Sequence, residues 1–347
     1  MTSSTRVILV TGSSLVGVEV LDLIASRGFT TRRLRKDVIT DAELHDALRG
    51  ASGYLLGGYE EPKAEHFERA APVLETVAFV GTDYQALIPG WQRALELGIA
   101  LSNAPGANAQ SVAEFTMLLI LSLARPLFGT IARPGDGDAA LGEIGPVGLE
   151  VRGRTLGIIG AGRIAHQVAR IAASGLGMEV LYTGRRRNED LERTAAASFV
   201  DKAALLERAD VVSLHRAGPA EGEGPELTAA DLSRLRHGAF LVNTAHPDLI
   251  DVDALLNVIR LNGVRAASDG LRLTPAWRRL IALGPDRFLC MPQQGFLTAE
   301  ANLRAAQLSA ESVCDVLDGG NSALVVNPWF RQTRSGLPSY GALPSST

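Results

Sequence analysis

The chain has 347 residues, 46% of them hydrophobic and 21% charged, which excludes extensive disorder and predicts two domains. The net charge of -4 at pH 7 gives no basic surface field, so we expect no nucleic-acid partner and no membrane attachment. The two cysteines, Cys290 and Cys314, lie in apolar stretches and form neither a disulfide framework nor a thiolate metal site, which predicts a cytoplasmic location and no bound metal.

Short apolar runs alternate with helical patterns along almost the whole chain. Between two of the runs, Ile164, Val168 and Ile171 recur at helical spacing. This alternation predicts an α/β protein whose parallel sheets are covered by helices on both faces. The runs cover residues 6–10, 77–81, 98–102, 155–160, 179–184, 211–215, 239–244, 264–269 and 287–292.

Two segments lack this periodicity. Residues 134–146 are rich in Gly, Asp and Pro and predict a connector, and residues 329–347 are rich in Ser, Pro and Gly and predict a loosely ordered tail. The N-terminal sequence lacks the pattern of a signal peptide. The longest apolar stretch, residues 115–124, is too short to span a bilayer.

The strongest motif begins at Gly160, directly after an apolar run. Gly160, Gly162 and Ala165 form a GxGxxA pattern, followed by a helical pattern and a second apolar run. Gly160 permits a tight turn and Gly162 a close approach to a pyrophosphate, while the helix N-terminus offers amides to the anion. The motif predicts a dinucleotide-binding Rossmann unit, and an ordinary strand–helix turn is the structural alternative.

The second strand of this unit ends without the acidic residue that normally holds an adenosine ribose. Gly184 occupies that place and is followed by Arg185, Arg186 and Arg187. Arginines attract a 2′-phosphate, whereas a carboxylate repels it. The pattern therefore favours NADP(H), with NAD(H) as the second cofactor considered and a solvated basic turn as the structural alternative.

A competing turn lies near the N-terminus, where VTGSSLVG is similar to the TGxxGxxG turn of short-chain dehydrogenases. Leu15 replaces the middle glycine, Gly17 falls one residue early, and no YxxxK pair follows in the usual place. We interpret Gly12 and Gly17 as an ordinary strand–helix turn.

From about residue 77 to residue 328 the chain resembles the D-2-hydroxyacid dehydrogenase family, which includes glyoxylate/hydroxypyruvate reductases. The segment YTGRRR is similar to the NADPH-using glyoxylate reductase branch. The resemblance rests on the ordered segments VGTDYQAL, GIALSNAPGANAQSVAEFTMLLIL, RTLGIIGAGRIA, ADVVSLH, GAFLVNTA, the strand end at Asp269, MPQQGFLT and VVNP.

The resemblance implies two Rossmann-like or flavodoxin-like domains with parallel sheets. A discontinuous substrate domain, residues 1–102 plus 296–328, contains an inserted NAD(P)-binding domain, residues 103–295, and residues 329–347 form a C-terminal tail. Members of the family usually dimerise through the inserted domain. The apolar helix at residues 112–123 is therefore expected to serve a homodimer, with a buried core helix as the alternative.

Three positions depart from the family pattern. The family's Arg, which orients the substrate carboxylate, is replaced by His246, its Glu by Thr274 and its acid–base His by Gln293. Gln293 cannot carry a proton between ionisation states near neutral pH. His246 is either a proton donor or hydrogen-bond donor to substrate, or a space-filling residue beside Pro247.

The family resemblance also implies roles for other positions. Asp269 is expected to contact the nicotinamide carboxamide, with Thr244 and Ala245 beside the cofactor and His215 as a family feature near it. The loop Gly57-Gly58-Tyr59 is either a grip for a substrate carboxylate or a plain turn. The predicted cofactor-binding residues are Gly160, Gly162, Arg163, Ile164, Ala165, Gly184, Arg185, Arg186, His215, Thr244, Ala245, Asp269 and Gly295.

Two functions agree with these observations. One is an NADP(H)-dependent oxidoreductase that acts on an atypical small-molecule substrate, with His246, Thr274 and Gln293 at the catalytic positions. The other is a non-catalytic NADP(H)-binding sensor or partner protein that retains the dehydrogenase fold.

Overall fold

The structure, a computed structural model, describes residues 6–36, 38–125, 127–128, 147–220 and 222–335. The chain divides into two compact units, Met1–Asn108 with Thr298–Thr347 and Ala109–Leu297. The family resemblance implied boundaries after residues 102 and 295 instead. The connector expected at residues 134–146 lies outside the described residues.

The first unit contains a five-stranded parallel sheet in the order β2-β1-β3-β4-β5, the order of a flavodoxin-like doubly wound fold. The first and the longest of its helices pack on one face of the sheet in one apolar layer. A second apolar layer covers the other face. The strands are β1 (Val7–Val10), β2 (Thr30–Arg33), β3 (Gly53–Leu56), β4 (Thr76–Phe79) and β5 (Ala100–Ser102). The helices, numbered along the chain, are α1 (Val18–Ser26), α2 (Asp41–Leu48), α3 (Ala64–Ala70), α4 (Tyr84–Leu87), α5 (Trp91–Glu96), α13 (Ala299–Leu317) and α14 (Phe330–Arg334).

The second unit contains a seven-stranded parallel sheet in the order β12-β11-β10-β9-β6-β7-β8. This order is that of a Rossmann fold, and it reverses between β6 and β9. The strands are β6 (Thr155–Ile159), β7 (Glu179–Thr183), β8 (Ser198–Phe199), β9 (Val211–Leu214), β10 (Phe240–Asn243), β11 (Arg265–Asp269) and β12 (Phe288–Met291). The α-helices are α6 (Ala109–Ala124), α7 (Arg163–Arg170), α8 (Glu189–Ala195), α9 (Lys202–Arg208), α10 (Ala229–Leu232), α11 (Val252–Leu261) and α12 (Pro275–Ile281).

Helix α6 is longer than the segment predicted at residues 112–123. Ala113 and Ile120 are fully buried in the core of the second unit, whereas Leu118 and Leu121 are 53% and 39% exposed. The helix therefore packs on the sheet with one side and leaves leucines on the other. Among the described residues, no helix has both the length and the apolar character that crossing a membrane requires.

The first residues of the expected loose tail are ordered, which corrects that prediction. They form α14, in which Phe330 is buried beside Ala100 and Val316. Arg334 donates from Nη1 to the carbonyl oxygen of Leu74 at 2.8 Å. Phe330 and two arginines, Arg331 and Arg334, hold this helix to the first unit, although the surrounding composition is typical of a flexible tail.

Candidate active site

The predicted glycine turn joins β6 to α7 where the strand order of the seven-stranded sheet reverses. Gly160 has a φ of 104°, and a Cβ built on it would lie 2.3 Å from the carbonyl oxygen of His215. Its amide donates to the carbonyl oxygen of Thr183 at 2.9 Å. Gly160 therefore draws the ends of β6, β7 and β9 together at the position where doubly wound folds bind ligands.

Gly162 is the N-cap of α7, and the space beside it is open. A Cβ built on Gly162 meets no protein atom within 4 Å, so packing does not require a glycine there. A pyrophosphate approaching the free amides of α7 does require one. Ala165 is fully buried, Ile164 is half-buried and Arg163 is exposed at the start of the helix. The residues present thus fit the phosphates of a dinucleotide.

The competing turn at Gly12 is filled by the chain itself. Gly12 has a φ of 79°, and an added Cβ would lie 1.9 Å from the carbonyl oxygen of Gly57. The carboxylate of Glu19 folds back over Gly17, the N-cap of α1, with Oε2 2.5 Å from the position of an added Cβ. A carboxylate at a helix N-terminus occupies the place of a phosphate and repels it. The geometry agrees with an ordinary strand–helix turn.

The three arginines after β7 do not share one environment. Arg187 donates to the carboxylate of Glu192 from Nε at 3.0 Å and from Nη2 at 2.8 Å. Arg185 and Arg186 are exposed and form no ion pair with a described residue. Two guanidinium groups, rather than three, are therefore available to a phosphate.

Asn188 connects this basic loop to the glycine turn, a role that motif analysis missed. Its Nδ2 donates to the carbonyl oxygen of Ala161 at 2.9 Å, and its Oδ1 accepts the Leu191 amide at 3.1 Å as the cap of α8. Gly184 lies beside the same turn, where an added Cβ would be 3.6 Å from Cβ of Ala161. The available signal was an Asn before an acidic first helical turn, which predicts an N-cap.

His215 lies under the glycine turn as a buried, uncharged residue. Its Nε2 is 2.8 Å from Oγ of Ser213, and its side chain is almost fully enclosed. Burial lowers the pKa of His215 to about 3, because the charged imidazolium would lose its hydration. His215 therefore supports the turn, through its carbonyl oxygen at Gly160, without supplying a positive charge near neutral pH.

The segment after β10 is fixed by side-chain hydrogen bonds. Thr244 is buried with its Oγ1 2.8 Å from Oγ1 of Thr116 on α6. Asn243 accepts the Ala245 amide at 3.0 Å and donates to the carbonyl oxygen of His246 at 2.8 Å. The amide of Ala245 is thus already paired within the chain.

Asp269 holds the segment after β12. Its Oδ1 accepts the amide of Gln294 at 2.7 Å and its Oδ2 accepts the amide of Gly295 at 2.8 Å. Burial raises the pKa of the Asp269 carboxyl, and the two amide donors oppose that rise. An added Cβ on Gly295 would lie 2.7 Å from Oδ2, which explains the glycine. The remaining lone pairs of Asp269 can still accept a carboxamide.

Gln293 and Thr274 differ in whether their side chains are free to contact a substrate. Gln293 is exposed and has a φ of 56°, a left-handed conformation that non-glycine residues rarely adopt and that clusters at functional sites. Thr274 is the N-cap of α12, and its hydroxyl oxygen accepts the amide of Trp277 at 3.4 Å. Thr274 therefore has a capping role, and Gln293 remains a candidate for contact with a substrate.

His246 lies in a charged cluster that joins the ends of β10 and β11. Arg272 donates from Nη2 to Nε2 of His246 at 3.2 Å, and it donates to the Asp248 carboxylate from Nη2 at 2.9 Å and from Nε at 3.1 Å. Nδ1 of His246 faces Asp248, 3.3 Å from its amide nitrogen. An added Cβ on Gly218 would lie 2.9 Å from Cγ of His246, so a loop covers the ring.

Arg272 and Asp248 were not recognised from the sequence. The signal that could have identified them is their position just after two strands that are neighbours in the sheet. Asn243 of β10 pairs with Ser268 of β11. Side chains that follow paired strand ends lie at one edge of a sheet. Because Arg272 can only donate, Nε2 of His246 accepts, and the ring proton then lies on Nδ1, 3.7 Å from Oδ2 of Asp248. Nε2 is therefore not free to donate a proton to a substrate.

The loop Gly57-Gly58-Tyr59 lies in the first unit, at the end of β3. The amide of Gly57 donates to Oγ1 of Thr11 at 3.2 Å, so it is already paired. The amides of Gly58 and Tyr59 have no backbone partner among the described residues. Beneath the loop, Tyr54 donates to Oε1 of the buried Glu60 at 2.5 Å. Burial, followed by the Glu60 charge, raises the pKa of Tyr54.

Comparison with known proteins identifies the family of the second unit. Residues 117–290 match the NAD binding domain of the D-isomer specific 2-hydroxyacid dehydrogenases. The chain is 32% identical over 254 residues to a glyoxylate reductase of Korarchaeum cryptofilum (strain OPF8), covering 72% of this chain and 75% of the relative. It is 28% identical over 293 residues to glyoxylate/hydroxypyruvate reductase B of Enterobacter sp. (strain 638), covering 83% and 88%.

Solved structures support the fold. The TT0316 protein from Thermus thermophilus aligns with a TM-score of 0.75 at 28% identity, covering 92% of this chain and 100% of that protein. The apo D-lactate dehydrogenase from Escherichia coli aligns with a TM-score of 0.74 at 22% identity, covering 92% and 99%, a likeness of fold alone.

The Rossmann sheet and its glycine turn define an oxidoreductase that uses a nicotinamide dinucleotide. The chain belongs to the D-isomer specific 2-hydroxyacid dehydrogenase family. Within that family its α/β fold has two parallel sheets with helices between the strands.

Proposed function

We propose that this chain is an NADP(H)-dependent oxidoreductase with an atypical active site and an atypical small-molecule substrate. The observation that carries the proposal is that none of the three residues at the family's catalytic positions, His246, Thr274 and Gln293, offers a free acid–base group. The acceptor nitrogen Nε2 of His246 is occupied by Arg272, Thr274 caps a helix, and Gln293 does not titrate near neutral pH.

The cofactor is held by residues of the second unit. The turn from Gly160 to Ala165 contacts the pyrophosphate, and Arg185 and Arg186 contact the 2′-phosphate that distinguishes NADP(H) from NAD(H). When bound, the reduced nicotinamide supplies a hydride. Asp269 accepts from the carboxamide with its unused lone pairs and keeps Gly295 in place.

The substrate is a small carbonyl-type compound that needs little help from a protein acid. Relatives named glyoxylate reductase support a carbonyl substrate of this size. General acid catalysis contributes about 10²–10⁴-fold, so a keto acid that depends on it is turned over slowly here. A protonated imine, which already carries its proton, or an activated carbonyl accepts a hydride without that assistance.

The second candidate is a non-catalytic NADP(H)-binding sensor or partner protein. The ion pair between Arg272 and Asp248 and the capping role of Thr274 favour it, because these contacts are structural. NADPH consumption measured against a panel of imines, activated carbonyls and 2-keto acids separates the two. We expect turnover of an imine or an activated carbonyl, and tight NADPH binding without turnover of any compound would support the sensor.

We also propose a homodimer formed through the second unit. Leu118 and Leu121 on α6 are the exposed leucines that support it, because they lie on one helix and a subunit interface would bury their apolar surface. Sedimentation of the purified protein is expected to give a dimer, and Leu118→Glu is expected to shift it toward a monomer. A wild-type monomer would contradict the proposal.

A further inference from the structure

The ends of β10 and β11 present a guanidinium group that family resemblance does not assign. Building on the proposed function, we propose that Arg272 recognises a carboxylate of the substrate and that His246 and Asp248 position Arg272. The family has an Arg at the position of His246. Here Arg272, which follows the neighbouring strand β11, supplies the positive charge instead. Arg272 lies 3.2 Å from Nε2 of His246, so the two residues share one location.

The hydrogen bonds of Arg272 leave part of its guanidinium free. A guanidinium has five N–H donors and no acceptor. Nε and Nη2 donate to Asp248, and Nη2 also donates to His246, whereas Nη1 has no partner among the described residues. The Arg272 side chain is 43% exposed, so Nη1 can meet an incoming anion.

The same contacts define what His246 does. Because a guanidinium only donates, Nε2 of His246 acts as an acceptor and cannot also carry the proton for a substrate. Nδ1 then carries the ring proton and faces the Asp248 carboxylate, 3.7 Å from Oδ2, and the loop at Gly218 lies against the ring. His246 is therefore a positioning residue that fixes the guanidinium, and Asp248 holds its other edge.

The strand order places this cluster in the nicotinamide half of the unit. A Rossmann fold consists of two mononucleotide halves, and the ribose-binding position after the second strand belongs to the adenosine half. Here that half is β6 to β8, which carries Arg185 and Arg186. His246 and Arg272 follow β10 and β11, in the other half. A carboxylate held there lies at the reactive end of the cofactor.

The test measures binding of oxalate, a small dicarboxylate, to the NADPH-loaded protein by calorimetry, which does not depend on turnover. We expect Arg272→Ala to weaken the affinity for oxalate about 10-fold to 100-fold. Arg272→Lys should recover part of the lost affinity, because an ammonium keeps the positive charge but lacks the planar fork of N–H donors that a guanidinium has. Arg279→Ala is the matched control, since Arg279 pairs with Asp253 on the exposed side of α12.

His246 variants separate positioning from proton donation. His246→Gln retains a hydrogen-bond acceptor for Arg272, so we expect near wild-type oxalate binding, whereas His246→Ala weakens it. Equal losses in both His246 variants, unchanged binding in Arg272→Ala, or no oxalate binding by a wild type that binds NADPH would each overturn the inference. A wild type that does not bind NADPH would overturn the proposed function as well.

Discussion

Arg187 and Glu192 form a bidentate ion pair at the edge of the basic loop, with Nη2 2.8 Å from Oε2 and Nε 3.0 Å from Oε1. Tyr182 donates to the same carboxylate at 2.6 Å. Together these bonds lower the pKa of Glu192, first through Arg187 and then through Tyr182. Arg187 is therefore part of the loop structure, and Arg185 and Arg186 remain for a ligand.

The first prediction compares these arginines. Replacing Arg185 and Arg186 by Ala is expected to weaken the binding of NADPH by about 1.5–3 kcal/mol for each lost charge-assisted contact, with little change in the binding of NADH. Fluorescence titration measures both cofactors. Arg187→Ala is the matched control, for which we expect little change in the preference for NADPH. A loss of NADPH affinity confined to Arg187→Ala would place the 2′-phosphate elsewhere.

The second prediction separates the two glycines of the turn. Gly162→Val should abolish cofactor binding with only a small loss of thermal stability from the poorer N-cap, because the added side chain enters open space needed by the pyrophosphate. Gly160→Ala should lower stability, because its Cβ would lie 2.3 Å from the His215 carbonyl oxygen and φ is 104°. Normal NADPH binding by a folded Gly162→Val protein would move the site away from this turn.

Much of this site was predictable because its signals are local. The glycine turn, the arginines after β7 and the loss of the family's catalytic residues are all read within short segments. Arg272 was missed because its contact with His246 depends on the pairing of β10 with β11. Asn188 was missed for a similar reason, since its partner Ala161 belongs to a different loop.

The fold shows the same division between local and distant signals. The α/β class and parallel sheets follow from the apolar runs, but β2, β3 and β8 were not among them. β2 has the sequence TTRR at a sheet edge, and β8 has only two residues, so neither carries an apolar pattern. β3, with the sequence GYLL, is short and begins with a glycine that lies against the side chain of Val313.

The third prediction concerns stability and pH. The folded-state pKa of His215 is lowered to about 3, whereas an unfolded His titrates near 6.5. Between pH 6.5 and about pH 3 the imidazole of His215 is protonated in the unfolded chain but not in the folded chain. His215 therefore causes the free energy of unfolding to fall as the pH drops from 6.5 toward 3. The slope from this one group is at most about 1.4 kcal/mol per pH unit.

Urea unfolding at pH 7.5 and pH 5 measures this effect. His215→Gln is expected to show a smaller loss of stability between the two values, because Gln does not take up a proton. An identical pH dependence in His215→Gln and wild type would contradict the assignment.

The fourth prediction concerns chemistry. Glyoxylate, hydroxypyruvate and pyruvate are expected to be poor substrates, because the family's Glu and acid–base His are replaced by Thr274 and Gln293. The variant Gln293→His should raise turnover of these acids only partly, since no Glu supports the new His. Brisk NADPH consumption with glyoxylate by the wild type would contradict this view.

The most direct test is a parallel titration of the wild-type protein with NADPH and NADH under identical salt and pH. Arg185 and Arg186 are exposed, and no acidic residue stands at the end of β7, so we expect NADPH to bind more tightly than NADH. Superimposable curves for the two cofactors, or tighter binding of NADH, would contradict an NADP(H)-dependent protein.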